Sequence, residues 1–162
     1  KQLLWKGGLD DHAFAKANPQ LTSFSKMIYR PEMDSRVVVL KLFPGITEAV
    51  VRAICSIEDL QGIVLETYGS GNAPTISWFI ETLREALLKG IKVVNVTQCR
   101  GGAVDMGKYE TSVHLKKIGM VSGNDITTEA ALAKMMYLLC YMPSTGDFKK
   151  YFETSLRGEI SV

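Results

Sequence analysis

The sequence predicts an α/β fold: a three-layer sandwich with a short, mostly parallel sheet of about four strands and helices on both faces. Three observations predict it. Short apolar runs rich in β-branched residues recur along the chain, and each is followed by a segment with helical apolar spacing. The runs are continuous rather than alternating, which suits strands buried on both faces. Strand and helix alternate three or four times, an order that implies a parallel sheet with right-handed crossovers.

Residues 1–35 read as a linker or N-terminal arm. Gly7-Gly8, Asn18-Pro19 and Arg30-Pro31 break its periodicity, and Trp5 and Phe14 are its candidate anchors. Arg36 to Leu42 is the first strand. Pro44-Gly45 turns it, and Thr47 is placed to cap a helix carrying Glu48 in its first turn, with Val50, Val51, Ile54 and Ile57 at helical spacing. The second strand contains Ile63-Val64-Leu65 and runs into Tyr68-Gly69-Ser70-Gly71-Asn72-Ala73-Pro74. Gly69 and Gly71 allow backbone angles that other residues resist. Pro74 suits the first turn of a helix, and Ala73 before it is pushed out of the helical region. That helix carries Ile76, Phe79, Ile80, Leu83 and Leu87 on one face and stops at Gly90.

The third strand, Ile91 to Val96, also ends in a Gly-bearing turn, Thr97-Gln98-Cys99-Arg100-Gly101-Gly102. An irregular stretch follows, then a short helix over Ser112 to Ile118 and a very short fourth strand within Gly119 to Gly123. Thr127 caps a helix with Glu129 in its first turn; Leu132, Met135, Met136 and Leu139 face the core, and Pro143 ends it. Phe148, Tyr151 and Phe152 stripe a last helix. The whole pattern is Rossmann- or flavodoxin-like. In such sheets ligands bind at the carboxyl ends of the strands.

Composition narrows the function. A chain of 162 residues fits one domain, and 46% hydrophobic with 22% charged residues argues against disorder. A net charge of +2, from scattered basic residues, gives no nucleic-acid footprint. No apolar run is long enough to span a bilayer and no secretory leader stands at the start. Cys55, Cys99 and Cys140 are odd in number and far apart, which argues against a disulfide framework and for a reducing, cytoplasmic compartment. No metal site is expected: there is no Cys-x-x-Cys pair, and His12 and His114 lie near no cysteine. The chain begins at Lys1 rather than Met, which suggests a fragment of a longer protein.

Two successive strands end in polar, Gly-bearing turns, and together such turns would line one crevice. Asn72, at a strand-to-helix junction, can both donate and accept. Against this, glycines alone can make a tight βα turn. The Gly-x-Gly-x-x-Gly fingerprint is not met, because position 74 is proline. Cys99 has no adjacent histidine and only Arg100 for electrostatic help, so it reads as a buried or ligand-lining thiol rather than a nucleophile. Cys55 and Cys140 fall on helical core stripes, and Met135-Met136 is core. His114 reads as a surface histidine, Lys116-Lys117 as a solvated face, and Asp105 and Glu110 as loop solvation before ammonium binding. No complete catalytic set is present.

The stretch Gly62 to Pro74 resembles the C-terminal domain of bacterial-type L-asparaginases, most of all the cytosolic type I branch. Phe43-Pro44-Gly45-Ile46-Thr47, Val94 to Cys99 with Gly101 and Met106 to Tyr109, Thr127 to Lys134, and Ser155 to Glu159 resemble further stretches in consistent order, about Arg36 to Glu159. The resemblance implies that 36–162 form this domain, whose family hydrolyses asparagine to aspartate and ammonia without a cofactor. It also implies that the threonine nucleophiles lie in a larger N-terminal domain, in Thr-Gly-Gly-Thr and Thr-Asp-Thr turns. Neither motif occurs here, so the isolated chain is expected to be inactive. The residue matching Asn72, with Gly71 and Ser70, would complete the substrate site of a dimer partner. Positions matching Thr97 and Cys99 would line an effector site. Glu66 stands where that pattern has a basic residue, and an acid there would repel an effector carboxylate. The N-terminal stretch departs from the family's usual linker. The implied partners are asparagine, the N-terminal catalytic domain and further copies of the chain, with no nucleic acid and no membrane. The alternatives are an asparaginase-like subunit of a tRNA-dependent amidotransferase and a stand-alone small-molecule-binding module.

Overall fold

The computed structural model describes residues 30–107 and 110–161. Trp5, His12, Phe14 and Tyr109 lie outside the described residues. The α/β unit begins at Glu32. Its elements are β1 (Val37–Lys41), α1 (Glu48–Cys55), β2 (Gly62–Thr67), α2 (Ser77–Leu88), β3 (Lys92–Thr97), α3 (Glu110–Lys117), β4 (Val121–Ser122), α4 (Thr128–Tyr141) and α5 (Phe148–Glu153). The four strands form one sheet in the order β1-β2-β3-β4, and every pairing is parallel. Val64 sits opposite Val39 and Val94, and Thr67 sits opposite Thr97.

The two-residue period of a strand sorts side chains onto opposite faces. Ile63, Leu65 and Val93 join a core with Val51 of α1 and with Phe79 and Leu83 of α2. Val64, Val94 and Val96 join a second core with Met135 and Leu138 of α4 and with Phe148 and Phe152 of α5. That makes three layers. Ile63, Val64 and Leu65 are all fully buried, as a central parallel strand requires. Helix α4 packs close to β2 because Gly62 has no side chain: a Cβ there would lie 2.2 Å from Sδ of Met135.

Several helix details differ from expectation, each for a local reason. Helix α2 starts at Ser77, not at Pro74, because the preceding turn closes on itself and the chain leaves it extended. Ile76 therefore precedes the helix and is exposed. Helix α1 buries Val51 and Cys55 but exposes Val50, and Ile57 lies beyond its Ser56 cap. Thr47 occupies the N-cap position of α1 without a side-chain cap bond, whereas Thr127 accepts one from the Ala130 N–H at 3.2 Å. The buried stripe of α4 is Ala131, Lys134, Met135 and Leu138, so Leu132, Met136 and Leu139 are only partly covered and Cys140 is exposed. Phe148 and Phe152, four apart, take the buried face of α5, which leaves Tyr151 exposed.

Candidate functional site at the carboxyl edge of the sheet

The turn after β2 is a closed loop. The Tyr68 N–H donates to the Asn72 carbonyl at 2.9 Å, and the Asn72 N–H returns the bond to the Tyr68 carbonyl at 2.8 Å. Gly69 and Gly71 have φ of +51° and +101°, the left-handed region expected of them. At Gly71 the requirement is double: a Cβ would also lie 2.7 Å from Cγ1 of Val104.

Strand β3 and the loop after it hold this turn from below. Each of its three central carbonyls accepts a bond. The Thr97 hydroxyl donates to Gly69 O, the Asp105 N–H donates to Ser70 O at 3.0 Å, and Nδ2 of Asn95 donates to Gly71 O at 3.1 Å. Thr67 and Asn95 are fully buried, and the Thr67 hydroxyl donates to Oδ1 of Asn95 at 2.6 Å. Asn72 itself is half-buried and outside the hydrophobic interior. Its Nδ2 lies 3.7 Å from where a Cβ on Gly69 would stand, so the amide folds back over the turn. Ser70 is also half-buried. Amides and a hydroxyl in this arrangement can hold a ligand by hydrogen bonds but include no activated nucleophile.

The six candidate site residues divide into two groups. Ser70, Gly71 and Asn72 sit on the turn. Glu66, Thr97 and Cys99 line a separate cavity of about 320 Å³ beside the N-terminus of α4, together with Arg100, Asp125 and Glu129. None of the turn residues lines that cavity. Glu66 points to the α4 face of β2, where it accepts a bond from the Thr128 hydroxyl at 2.6 Å and lies 3.4 Å from Nζ of Lys41. The Thr97 hydroxyl, already donating to Gly69 O, accepts from the Cys99 N–H at 3.0 Å. The Cys99 thiol is exposed rather than buried. The side chain and N–H of Ser161 hold the Asp125 carboxyl below its ordinary range. Three carboxylates stand against the Arg100 guanidinium and the Lys41 ammonium beside Glu66, an excess of negative charge that disfavours an anion here.

A larger cavity, about 510 Å³, lies between Val104, β4 and α5 and includes Asp105, Lys116, Lys149 and Glu153, but no residue of the turn. His114 is exposed on α3, and burial pushes the Cys55 thiol up. Among the described residues, no group of three His, Cys, Asp or Glu side chains could hold a metal, and no helix is long and apolar enough to cross a membrane. Sequence reasoning gave no role to Thr67 or Asn95, and placed Gln98 only as an amide in the turn after the third strand. Nε2 of Gln98 donates to Leu42 O at 2.7 Å and Glu66 O at 3.0 Å, tying the ends of β1 and β2. The signal that could have found them is a polar residue interrupting a buried apolar run, as Asn95 does between Val94 and Val96.

Residues 36–152 match the family model described as the glutaminase/asparaginase C-terminal domain. The chain is similar to L-asparaginase 1 of Escherichia coli (strain K12), 38% identical over 136 residues, covering 84% of this chain and 40% of that protein. It is similar to the 60 kDa lysophospholipase of Mus musculus, 40% identical over 139 residues, covering 85% of this chain and 24% of that one. The crystal structure of L-asparaginase I from Vibrio cholerae O1 biovar eltor str. N16961 superposes with a TM-score of 0.78 at 36% identity, over 86% of this chain and 42% of that structure. The chain spans less than half the length of each.

Proposed function

This chain belongs to the glutaminase/asparaginase C-terminal domain family, and on that premise we propose that it is the C-terminal part of an L-asparaginase, which hydrolyses asparagine to aspartate and ammonia. The observation that carries the proposal is the family match over residues 36–152, with a closed polar turn at the carboxyl end of β2 inside it. In this reading the attacking hydroxyl lies on polypeptide outside the chain, in an N-terminal catalytic domain. Asn72, with Gly71 and Ser70, completes the substrate site of a partner copy in a homo-oligomer. There Oδ1 of Asn72 accepts from the α-ammonium group of asparagine, which orients the scissile amide without reacting. The protein works in the cytoplasm.

The cavity lined by Glu66, Thr97 and Cys99 is the counterpart of an effector site, altered in charge. Its carboxylates disfavour a ligand that presents its own carboxylate at Glu66. The amidotransferase alternative draws less support, because the glutamyl-tRNA(Gln) amidotransferase chain of Sulfolobus acidocaldarius, 33% identical over 130 residues, is the weaker match.

The test is ammonia release from L-asparagine by the purified 162-residue chain and by the full-length protein that contains it. The full-length protein is expected to turn over and the isolated chain to be silent. Turnover by the isolated chain at the full-length rate overturns the division of labour. A full-length protein inert toward asparagine overturns the activity.

A further inference from the structure

We propose that Asn95 is a positioning residue for Asn72, acting through the peptide plane that joins Gly71 to Asn72. The proposal rests on the reading of Asn72 as a substrate-binding group. Asn95 is an amide with no exposed surface in the middle of a parallel sheet, paired in register with Leu65. Burying such a group costs free energy unless both its ends are bonded. Both are: Oδ1 accepts from the Thr67 hydroxyl at 2.6 Å, and Nδ2 donates to Gly71 O at 3.1 Å. The orientation is forced, because a carbonyl oxygen can only accept and so must face the NH₂ end.

Gly71 C=O and Asn72 N–H belong to one rigid peptide unit. Asn95 holds the oxygen of that unit, while Tyr68 O holds its N–H at 2.8 Å. The plane that carries Cα of Asn72 is thus pinned at both ends. It is also wedged, since the space a Cβ on Gly71 would need is taken by Val104 at 2.7 Å and by Nδ2 of Asn95 at 3.2 Å. A leucine at position 95 would fill the core, but it could not hold the turn. Thr67 extends the chain one step further, as the group that orients Asn95.

The test is a double-mutant cycle in the full-length protein, reading kcat and KM for asparagine. Asn72→Ala and Asn95→Leu are each expected to lower kcat/KM about tenfold, chiefly through KM. The double variant is expected to lose far less than the product of the two single losses, because a support has little left to act on once the main group it supports is gone. If the losses multiply, Asn95 acts on the fold and the proposal fails. If Asn72→Ala is impaired and Asn95→Leu is not, this proposal fails while the substrate role of Asn72 stands. If Asn72→Ala is itself unchanged, the reading beneath it fails as well. Should Asn95→Leu not fold, Thr67→Val takes its place in the cycle, with an expected loss of roughly threefold that shrinks beside Asn72→Ala. A loss that persists there in full overturns the proposal.

Discussion

The ammonium group of Lys134 lies 2.5 Å from the Glu159 carboxylate, on a helix face otherwise made of Ala131, Met135 and Leu138. The same ammonium donates to the Thr154 carbonyl at 2.6 Å and sits 5.2 Å from the centre of the Phe152 ring. Glu159 in turn accepts the N–H groups of Leu156 at 2.9 Å and Arg157 at 2.6 Å. The tail after α5 is therefore folded around one carboxylate and fastened to α4. A charge so buried needs partners on every side, and here it has them.

Glu159→Gln is expected to destabilise the protein by about 3 kcal/mol at neutral pH. Burial alone would raise this carboxyl, but Lys134 and the backbone N–H groups outweigh it and hold it down from 4.5 to about 2. A depressed acid stabilises the fold above its unfolded value and loses that contribution as pH falls through the folded one. The difference between wild type and variant should thus shrink between pH 4.5 and about 2. Urea unfolding across that range measures it; a difference independent of pH would remove the carboxylate from the account.

Gly71→Ala is expected to cost more than Gly69→Ala. Both alter a residue with positive φ, which costs a non-glycine residue about 1 kcal/mol. Only at Gly71 does the new methyl also meet a neighbour, Val104, at 2.7 Å, so the total there should reach about 2 to 4 kcal/mol. Thermal or chemical unfolding of the two variants decides it. Equal costs would mean that Val104 yields freely.

Asn72→Ala in the full-length protein is expected to lower kcat/KM for asparagine while leaving the fold intact. Asn72 is half-buried outside both cores, and the bridge to Tyr68 uses only its backbone groups. A changed unfolding midpoint with unchanged kinetics would assign the side chain to the fold instead.

Initial rates of the full-length protein against asparagine concentration are expected to follow a hyperbola. Glu66, Asp125 and Glu129 outnumber Arg100 and the Lys41 ammonium beside Glu66 in the cavity next to α4, so a ligand carboxylate gains little by entering it. A sigmoidal curve that Glu66→Gln abolishes would show the opposite, that Glu66 belongs to a working effector site.

Much of the architecture was legible because it rests on local rules. Ile63-Val64-Leu65 is a short apolar run bounded by a Gly-bearing turn, which suits a doubly buried strand, and the closely spaced Gly69 and Gly71 suit a turn that uses positive φ. Amphipathic spacing was less decisive at helix margins. Val50, Ile76 and Cys140 have the right chemistry for a core, yet they fall just off the buried stripes, and the offset depends on where each helix starts. Lys134 is the converse case. Its charge argued for solvent, and only the return of the tail 25 positions later supplies the partner that allows its burial.

The candidate site shows the same division. By itself the amino-acid sequence determined the succession of strands and helices, the family, and the presence of an amide at the tip of β2, because dihedral preference and hydrophobic period act over a few neighbouring residues. The tertiary structure decided what holds that amide. Asn95 reaches Gly71 across 24 positions and Thr67 reaches Asn95 across 28. Hydrogen bonds between adjacent parallel strands join residues a whole crossover apart, and no local pattern records which buried polar group will meet which.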